Sequence, residues 1–360
     1  MKLSKLIKRK NIFTILKLCG VIFVASYLVF APFTVISTLL SNQSLVNDNL
    51  NMSYMGVLEL WNIDTFEGGS ISRTAWLEKR AISFEKEHTG TYIMVINMSL
   101  EQAKLNFDSG KTPNMISFGI GAGETVLSHL INYSGSVRVR DDLIKGGEVN
   151  KSIYAVPYIL GGYMISSENE IGENITGLGY GEKSNNNFSL ALALNDYKAH
   201  SIYKNNEELD SFDAYDKYLK KQFDFLCGTQ RDAYRINKKI NNGNLSNQNI
   251  EYLGGFSDLI QYIGICEGTN IENELCNEFI EFLTSYEIQK TLSHISMFSV
   301  LDISIYNDGY LKDMESILRN KLKTINVFLS NNKLDEIKKK AKEILLDCNK
   351  SNKELVSYLA

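Results

Sequence analysis

Between Gly56 and Phe118 the chain alternates short apolar runs with longer amphipathic ones, which restricts it to folds built on a parallel sheet. VLELWN (57–62), TYIMVIN (91–97) and NMISF (114–118) have the length and β-rich content of strands. Leu77, Ala81 and Phe84 at i, i+4 and i+7 predict a helix over about 72–88. Leu100, Ala103 and Phe107 predict another over about 99–109, opened by Ser99 with Gln102 as a capping box and stopped by Gly110. Strands joined by helical crossovers pair in parallel, and such open sheets bind ligands beyond the carboxyl ends of their strands. Two glycine-rich segments fall there, Asn62 to Gly69 and Gly119 to Glu124. Glycine lets backbone N–H groups come close to a ligand.

Further on, Tyr154 to Ser166 is too apolar for a surface loop and carries Gly161-Gly162 at its middle. Residues 250–266 repeat that character around Gly254-Gly255, so both read as crossings between two lobes. An Asn-rich stretch at 183–188 reads as a loop, followed by a helix containing Leu190, Leu192 and Leu194. Tyr215, Tyr218 and Leu219 mark an amphipathic helix, Phe225 to Gly228 a short apolar piece, and Thr229 the cap of a helix running to about Ile240. Helices are predicted at about 272–285, 286–294, 309–329 and 333–347. Lys338, Lys339, Lys340 and Lys342 lie opposite Leu334, Ile337, Ala341 and Ile344, which makes them a solvated helix face.

The N-terminus carries a separate signal. Lys2, Lys5, Lys8, Arg9, Lys10 and Lys17 precede Leu18 to Leu40, a stretch without a charged residue. That run meets the roughly 20-residue requirement of a transmembrane helix and exceeds the apolar core of a cleavable leader. The expectation is an uncleaved span over 18–41 behind a cytoplasmic basic segment (1–17), then a polar tether (42–55). The remainder then lies outside the cell, because positive charge stays on the cytoplasmic side. A leader cut near Ser41 is the alternative. Cys19 opens the apolar run rather than following it, which argues against lipid attachment there. Cys227, Cys266, Cys276 and Cys348 permit disulfides outside the cell without specifying any pairing.

Composition excludes several classes of function. A net charge of −4 with no basic stripe beyond residue 17 gives no footprint for nucleic acid. The four histidines form no H-E-x-x-H and pair with no cysteine in a zinc pattern, so neither a metal nor another cofactor is expected. There is no G-x-S-x-G elbow or Walker loop, and Glu124 stands where a dinucleotide fingerprint needs its third glycine. Asp141-Asp142 are adjacent and point apart, unlike a glycosidase pair. No catalytic residue is nominated.

Aromatic and charged side chains at predicted element ends remain, which suits a polyhydroxylated ligand. Trp61, Phe66, Tyr158 and Phe256 offer rings for the apolar faces of a sugar, with packing in the core as the competing role for Trp61 and Phe256. Asp64, Arg231, Asp232 and Asp258 offer donors and acceptors along its edges. Thr65 and Gly121 join them from the two glycine-rich segments, and Thr229 opens a helix whose free N–H groups suit a ligand oxygen. A charge just beyond an apolar strand, as at Asp64, implies a cleft position or an ion pair between lobes, and Arg231 carries the same two readings.

The stretches LELWNIDTFEGGSISRTAWLEKRAISFEKEHTG, PNMISFGIG, YAVPYILGGYMIS, FLCGTQRDAYRINKKINNG, YLGGFSDLIQYIGI and EFIEFLTSYEIQKTLSHISMFSV resemble the family 1 extracellular solute-binding proteins of bacterial ABC importers. The resemblance extends over most of 57–300. It implies an α/β, two-lobed periplasmic-binding-protein-like fold with a hinge and an inter-lobe cleft, here behind one N-terminal transmembrane helix. Residues 56–160 with 255–300 would form the first lobe, and 161–254 with 301–360 the second. It further implies a monomeric, membrane-anchored extracellular binder that delivers a small polar ligand, a carbohydrate being favoured, to ABC permease subunits by hinge closure. A surface sensor or interaction protein on the same fold is the alternative. Two features depart from the family: the apolar span replaces a lipid anchor, and the second lobe is short with few aromatics between 167 and 202.

Overall fold

The computed structural model describes residues 54–136, 138–184, 186–307, 309–347 and 349–359. The expected basic segment, span and most of the tether, together with Cys348, lie outside the described residues. Among the described residues no helix is long and apolar enough to cross a membrane.

The alternation at the start of the fold is realised as β1 (Gly56–Asn62), α1 (Arg73–Glu87), β2 (Thr91–Asn97), α2 (Leu100–Asp108) and β3 (Met115–Phe118). β2 and β3 flank β1, both parallel to it. Leu58 and Leu60 of β1 pack with Trp76, Leu77, Ala81 and Phe84 of α1, while Trp61 faces Ala103 of α2, so the two helices cover opposite faces. Ser72 and Ser99 cap the helices, each accepting from a backbone N–H three residues on.

The chain then runs through β4 (Val156–Leu160), β5 (Tyr163–Ser167), β6 (Asn174–Gly179), α3 (Phe188–Leu194), β7 (Lys198–Ile202), α4 (Ser211–Leu219), β8 (Phe225–Thr229), α5 (Gln230–Asn241), β9 (Asn249–Tyr252), β10 (Ile260–Ile265), α6 (Asn270–Leu283), α7 (Gly309–Leu318) and α8 (Asn331–Leu346). One five-stranded sheet has the order β2-β1-β3-β10-β4 and a second has the order β9-β5-β8-β6-β7, with a two-stranded ribbon at 148–153 besides. Gly161-Gly162 carries the chain from the first sheet into the second, and Gly254-Gly255 lies on the return from β9 to β10.

These crossings run side by side. Gly161 N donates to Leu259 O at 2.7 Å, and Ser257 Oγ donates to Gly161 O at 2.8 Å. A Cβ at Gly162 would crowd Met314 and Leu318 of α7, so a helix backs the first crossing.

The C-terminal segment is the main departure from the expected helices. The helix expected over 309–329 stops at Leu318, and 319–329 is irregular, with single bridges at Lys323 and Ile325 and a turn at 327–328. Burial explains the change: Leu322, Ile325 and Val327 are almost wholly enclosed, and one helical face would not bring all three to the surface they cover. Lys323 N donates to Gly255 O and Lys323 O accepts from Ser257 N, beside the second crossing. Val327 N donates to Gly146 O at 2.8 Å. Residues 319–329, assigned above to the second lobe, thus lie against elements of the first. α8 then packs on α3 and β7 of the second sheet. The sequence of α3, FSLALAL, apolar except for Ser189, follows from that sandwich, since such a helix needs cover all round.

Candidate functional site

The loop after β1 meets the second sheet's elements at the junction of the lobes. Its base is a buried polar network at the strand ends. Asn62 Nδ2 donates to Asn97 Oδ1 at 2.9 Å, and its Oδ1 accepts from Ser117 Oγ at 2.8 Å. Gln261 Nε2 donates to Ile63 O and to Ser117 Oγ. Tyr158 shares a 2.8 Å hydrogen bond with Ser117, and its ring stacks on Trp76. It is fully buried, which pushes its phenol pKa well up. Tyr158 therefore serves the base of the site, with neither ring face free for a sugar.

Above the base, Arg73 organises the loop. Its guanidinium lies 3.8 Å from the centroid of the Phe66 ring, donates to Phe66 O, and reaches Asp64 Oδ1 at 3.3 Å. Burial lowers its pKa, with Asp64 opposing that shift. Asp64, half-exposed, also accepts from Thr74. The ion pair of Asp64 thus lies within one lobe, through Arg73. Arg73 was not among the sequence candidates, although a cation at the first position of a helix opposes the macrodipole and implies a partner elsewhere.

From the second sheet, α5 points its first turn at this loop. Arg231 Nε donates to Gly69 O at 3.1 Å, Nη2 to Gly68 O at 3.4 Å, and Nη1 lies 3.4 Å from Glu67 Oε2. Of the two charged candidates singled out from sequence, Arg231 is the one that joins the lobes. Gln230 is wholly buried and links both sides: its Oε1 accepts from Gly162 N and its Nε2 lies 2.9 Å from Met297 Sδ. Asn186 Oδ1 accepts from Glu67 N at 3.3 Å. Asn187 Nδ2 donates to Asp258, which also accepts from Tyr163 Oη at 2.6 Å.

The other candidates have structural tasks. Thr229 and Asp232 form the capping box of α5, Asp232 Oδ2 accepting from Thr229 N at 3.0 Å. Trp61 packs at 5.2 Å from Phe107, and Phe256 is fully enclosed in the core. Gly121, in a turn with φ 90°, lies beside Asn331 at the start of α8. Thr65 is buried in the loop. Asp64, Thr65, Phe66, Arg231 and Asp258 are the candidates gathered around the junction. Gln230, Asn186 and Asn187 were missed because amides in a loop or at a helix start carry no sequence signal.

Burial pushes Asp232 up to about 6, against the hydrogen bond from Thr229 and the nearby Arg235. A raised carboxyl favours its protonated form in the folded state. Its contribution to stability is fully present below its ordinary value near 3.8 and is lost as pH rises through about 6. Asp232→Asn keeps an acceptor for the cap and removes the charge. The variant is expected to gain on the wild type by at least ~1 kcal/mol between pH 4.5 and pH 7.5. Denaturant midpoints across that range measure the difference, and parallel pH profiles would refute the assignment.

Several polar atoms around the junction are buried with no partner among the described residues: Thr65 Oγ1, Arg73 Nη1, Asn186 Nδ2 and Asn187 Oδ1. Among the described residues no group of three or more His, Cys, Asp or Glu is placed to hold a metal ion.

No family model and no curated protein matches the sequence. Solved structures do match. The sugar-binding protein MalE from Xanthomonas citri aligns with TM-score 0.59 at 11% identity, covering 84% of this chain and 95% of its own. The GacH receptor of Streptomyces glaucescens, whose structures include an acarbose complex, aligns with TM-score 0.55 at 12% identity over 85% of this chain and 96% of its own. RafE from Streptococcus pneumoniae aligns with TM-score 0.55 at 14% identity over 86% and 98%. At these identities the likeness is one of fold: the chain has the two-lobed α/β architecture of sugar-binding solute receptors, as its resemblance to the family 1 extracellular solute-binding proteins implied.

Proposed function

We propose that the chain binds a small polyhydroxylated solute, a mono- or oligosaccharide, between its lobes and presents it to an ABC-type permease. The observation that carries this reading is a set of buried polar atoms with no partner among the described residues, Thr65 Oγ1, Asn186 Nδ2 and Asn187 Oδ1, on both sides of the lobe junction. Buried polar groups are costly unless hydrogen-bonded, and hydroxyls that both donate and accept suit this mixed set. The fold's solved relatives support the ligand class, one of them being described with raffinose. Two glycine-containing crossings supply the hinge for capture by closure. The apolar run Leu18–Leu40 supports anchoring at the cell membrane with the lobes outside.

Thermal melting of the full chain in detergent, against maltose, raffinose, chitin oligosaccharides and amino acids, tests the reading. Ligand at about 100 times its dissociation constant adds ~2.7 kcal/mol. With an unfolding entropy of ~2.1 cal/mol/K per residue over roughly 300 residues, that raises Tm by about 4 °C. A flat response to every saccharide would reject it.

A further inference from the structure

The contacts of Arg231 with the loop after β1 have a one-sided chemistry. Gly68 O, Gly69 O and the Glu67 carboxylate are all acceptors, and the guanidinium supplies a fork of donors to them from the opposite lobe. Glu67 N–H completes the junction by donating to Asn186 Oδ1, so three consecutive residues of one lobe are held by two side chains of the other. We propose that Arg231 is a latch which holds the unliganded chain closed, and that a ligand entering the junction displaces it by bringing donors of its own to these acceptors. The seat therefore favours neutral, hydroxyl-rich molecules over anions, because a carboxylate cannot donate to a carbonyl. The ligand part of this inference rests on the solute-binding reading; the latch itself does not.

Three features make the latch reversible. Arg231 is about one-third exposed (32%) and Glu67 more so (41%), so solvent weakens their ion pair. The two backbone acceptors belong to glycines, so Arg231 alone has to move to free them. Finally, Arg231 makes none of the side-chain hydrogen bonds that cap α5, which come from Thr229 and Asp232, so losing its side chain leaves the helix start intact.

Spin labels on the exposed faces of the two lobes, at Glu101→Cys and Lys238→Cys of the full chain in detergent, report the opening without any ligand. With Arg231 in place the inter-label distance is expected to be short and narrowly distributed. Arg231→Ala is expected to shift it to longer, broader values, with Arg231→Lys between the two because an ammonium cannot span the same acceptors. Unchanged distances in Arg231→Ala overturn the latch.

The second arm is titration with raffinose and maltotriose, and with glucuronate as an anionic control. Arg231→Ala is expected to lower the apparent dissociation constant of a neutral saccharide about 10-fold, since a closed, incompetent state no longer competes. Weaker binding in the variant would make Arg231 a ligand contact and overturn displacement. Tighter binding of glucuronate than of the neutral sugars would overturn the donor rule. If neither protein binds any saccharide, the solute-binding reading fails while the distance measurement still decides the latch.

Discussion

Replacing Gly123 with valine is expected to destabilise the chain by about 3 kcal/mol or more and to release the segment that joins α7 to α8. Gly123 is buried at the start of a short helical turn, and a Cβ there would overlap the carbonyl of Val327 and crowd the backbone of Phe328. Both obstacles are main chain, so no rotamer change relieves the clash. The segment itself is well bound, with Val327 enclosed, its N–H on Gly146 O, and Phe328 packed near Phe118 and Tyr154. Valine would exchange that packing for exposure. At ~0.6 kcal/mol per degree for roughly 300 residues, Tm should fall by about 5 °C. Hydrogen exchange at Val327 should rise far more than at β1 or β3. Uniform loss of protection would mean a global fold defect rather than release of the segment.

Gly123 shows how far sequence reading reaches. The segment Gly119 to Glu124 reads as one whose backbone comes close to a ligand; Gly119 and Gly123 do face close neighbours, at Thr65 and Val327, while Gly121 has only Asn331 near it. The partner was not legible: the approaching group at Gly123 is the chain's own backbone at Val327, about two hundred positions away. Periodicity describes neighbours within a few turns, so contacts of that separation stay invisible. The same reason underlies the helix expected over 309–329, whose second half leaves the helical path because burial against the first lobe requires Leu322, Ile325 and Val327 to be enclosed together.

Elements whose pattern comes from local burial were read well. β1 to β3 and the two helices between them lie within one or two residues of expectation, and Thr229 caps α5 as its residue type suggested. β6 and β7 were not anticipated. NITGLG has few apolar residues and turns through Gly177 at φ 72°, and KAHSI pairs only along one edge, so neither shows a clear alternation. At the lobe junction, the structure brings Asp64 and Arg231, both singled out from sequence, to the loop after β1, and Arg231 reaches it from the opposite lobe. Thr229 and Asp232 share that helix start, but their side chains are committed to the cap. A capping box and a ligand-binding turn look alike in sequence, since both want small oxygen-bearing side chains at the first turn.

The charge at Asp258 allows a further test. Asp258→Ala is expected to cost about 2–6 kcal/mol, the range for stranding two buried donors. The side chain is 3% exposed and accepts from Tyr163 Oη and from Asn187 Nδ2, both themselves buried. It therefore ties the second crossing to β5, where the first crossing ends, and to the start of α3. Alanine would strand two buried donors, each costing ~1–3 kcal/mol. Asp258→Asn retains one acceptor and should lose no more than about half as much. Tyr163→Phe on its own removes one donor together with its need for a partner, so the double variant Asp258→Ala/Tyr163→Phe should recover at least ~1 kcal/mol relative to the sum of the singles. Strict additivity would show that the two side chains do not share a bond. Burial raises the Asp258 pKa, opposed by its hydrogen bonds with Tyr163 and Asn187 and by Lys338 of α8. A raised carboxyl stabilises the fold most in acid and less as pH climbs through its folded value. Because Asp258→Ala removes that contribution, its deficit relative to the wild type should be larger near pH 4 than near pH 7.5. Denaturant midpoints of the two proteins across that range give the sign directly, and a deficit that grows toward pH 7.5 would mean that the carboxylate, rather than the protonated acid, is the form the fold favours.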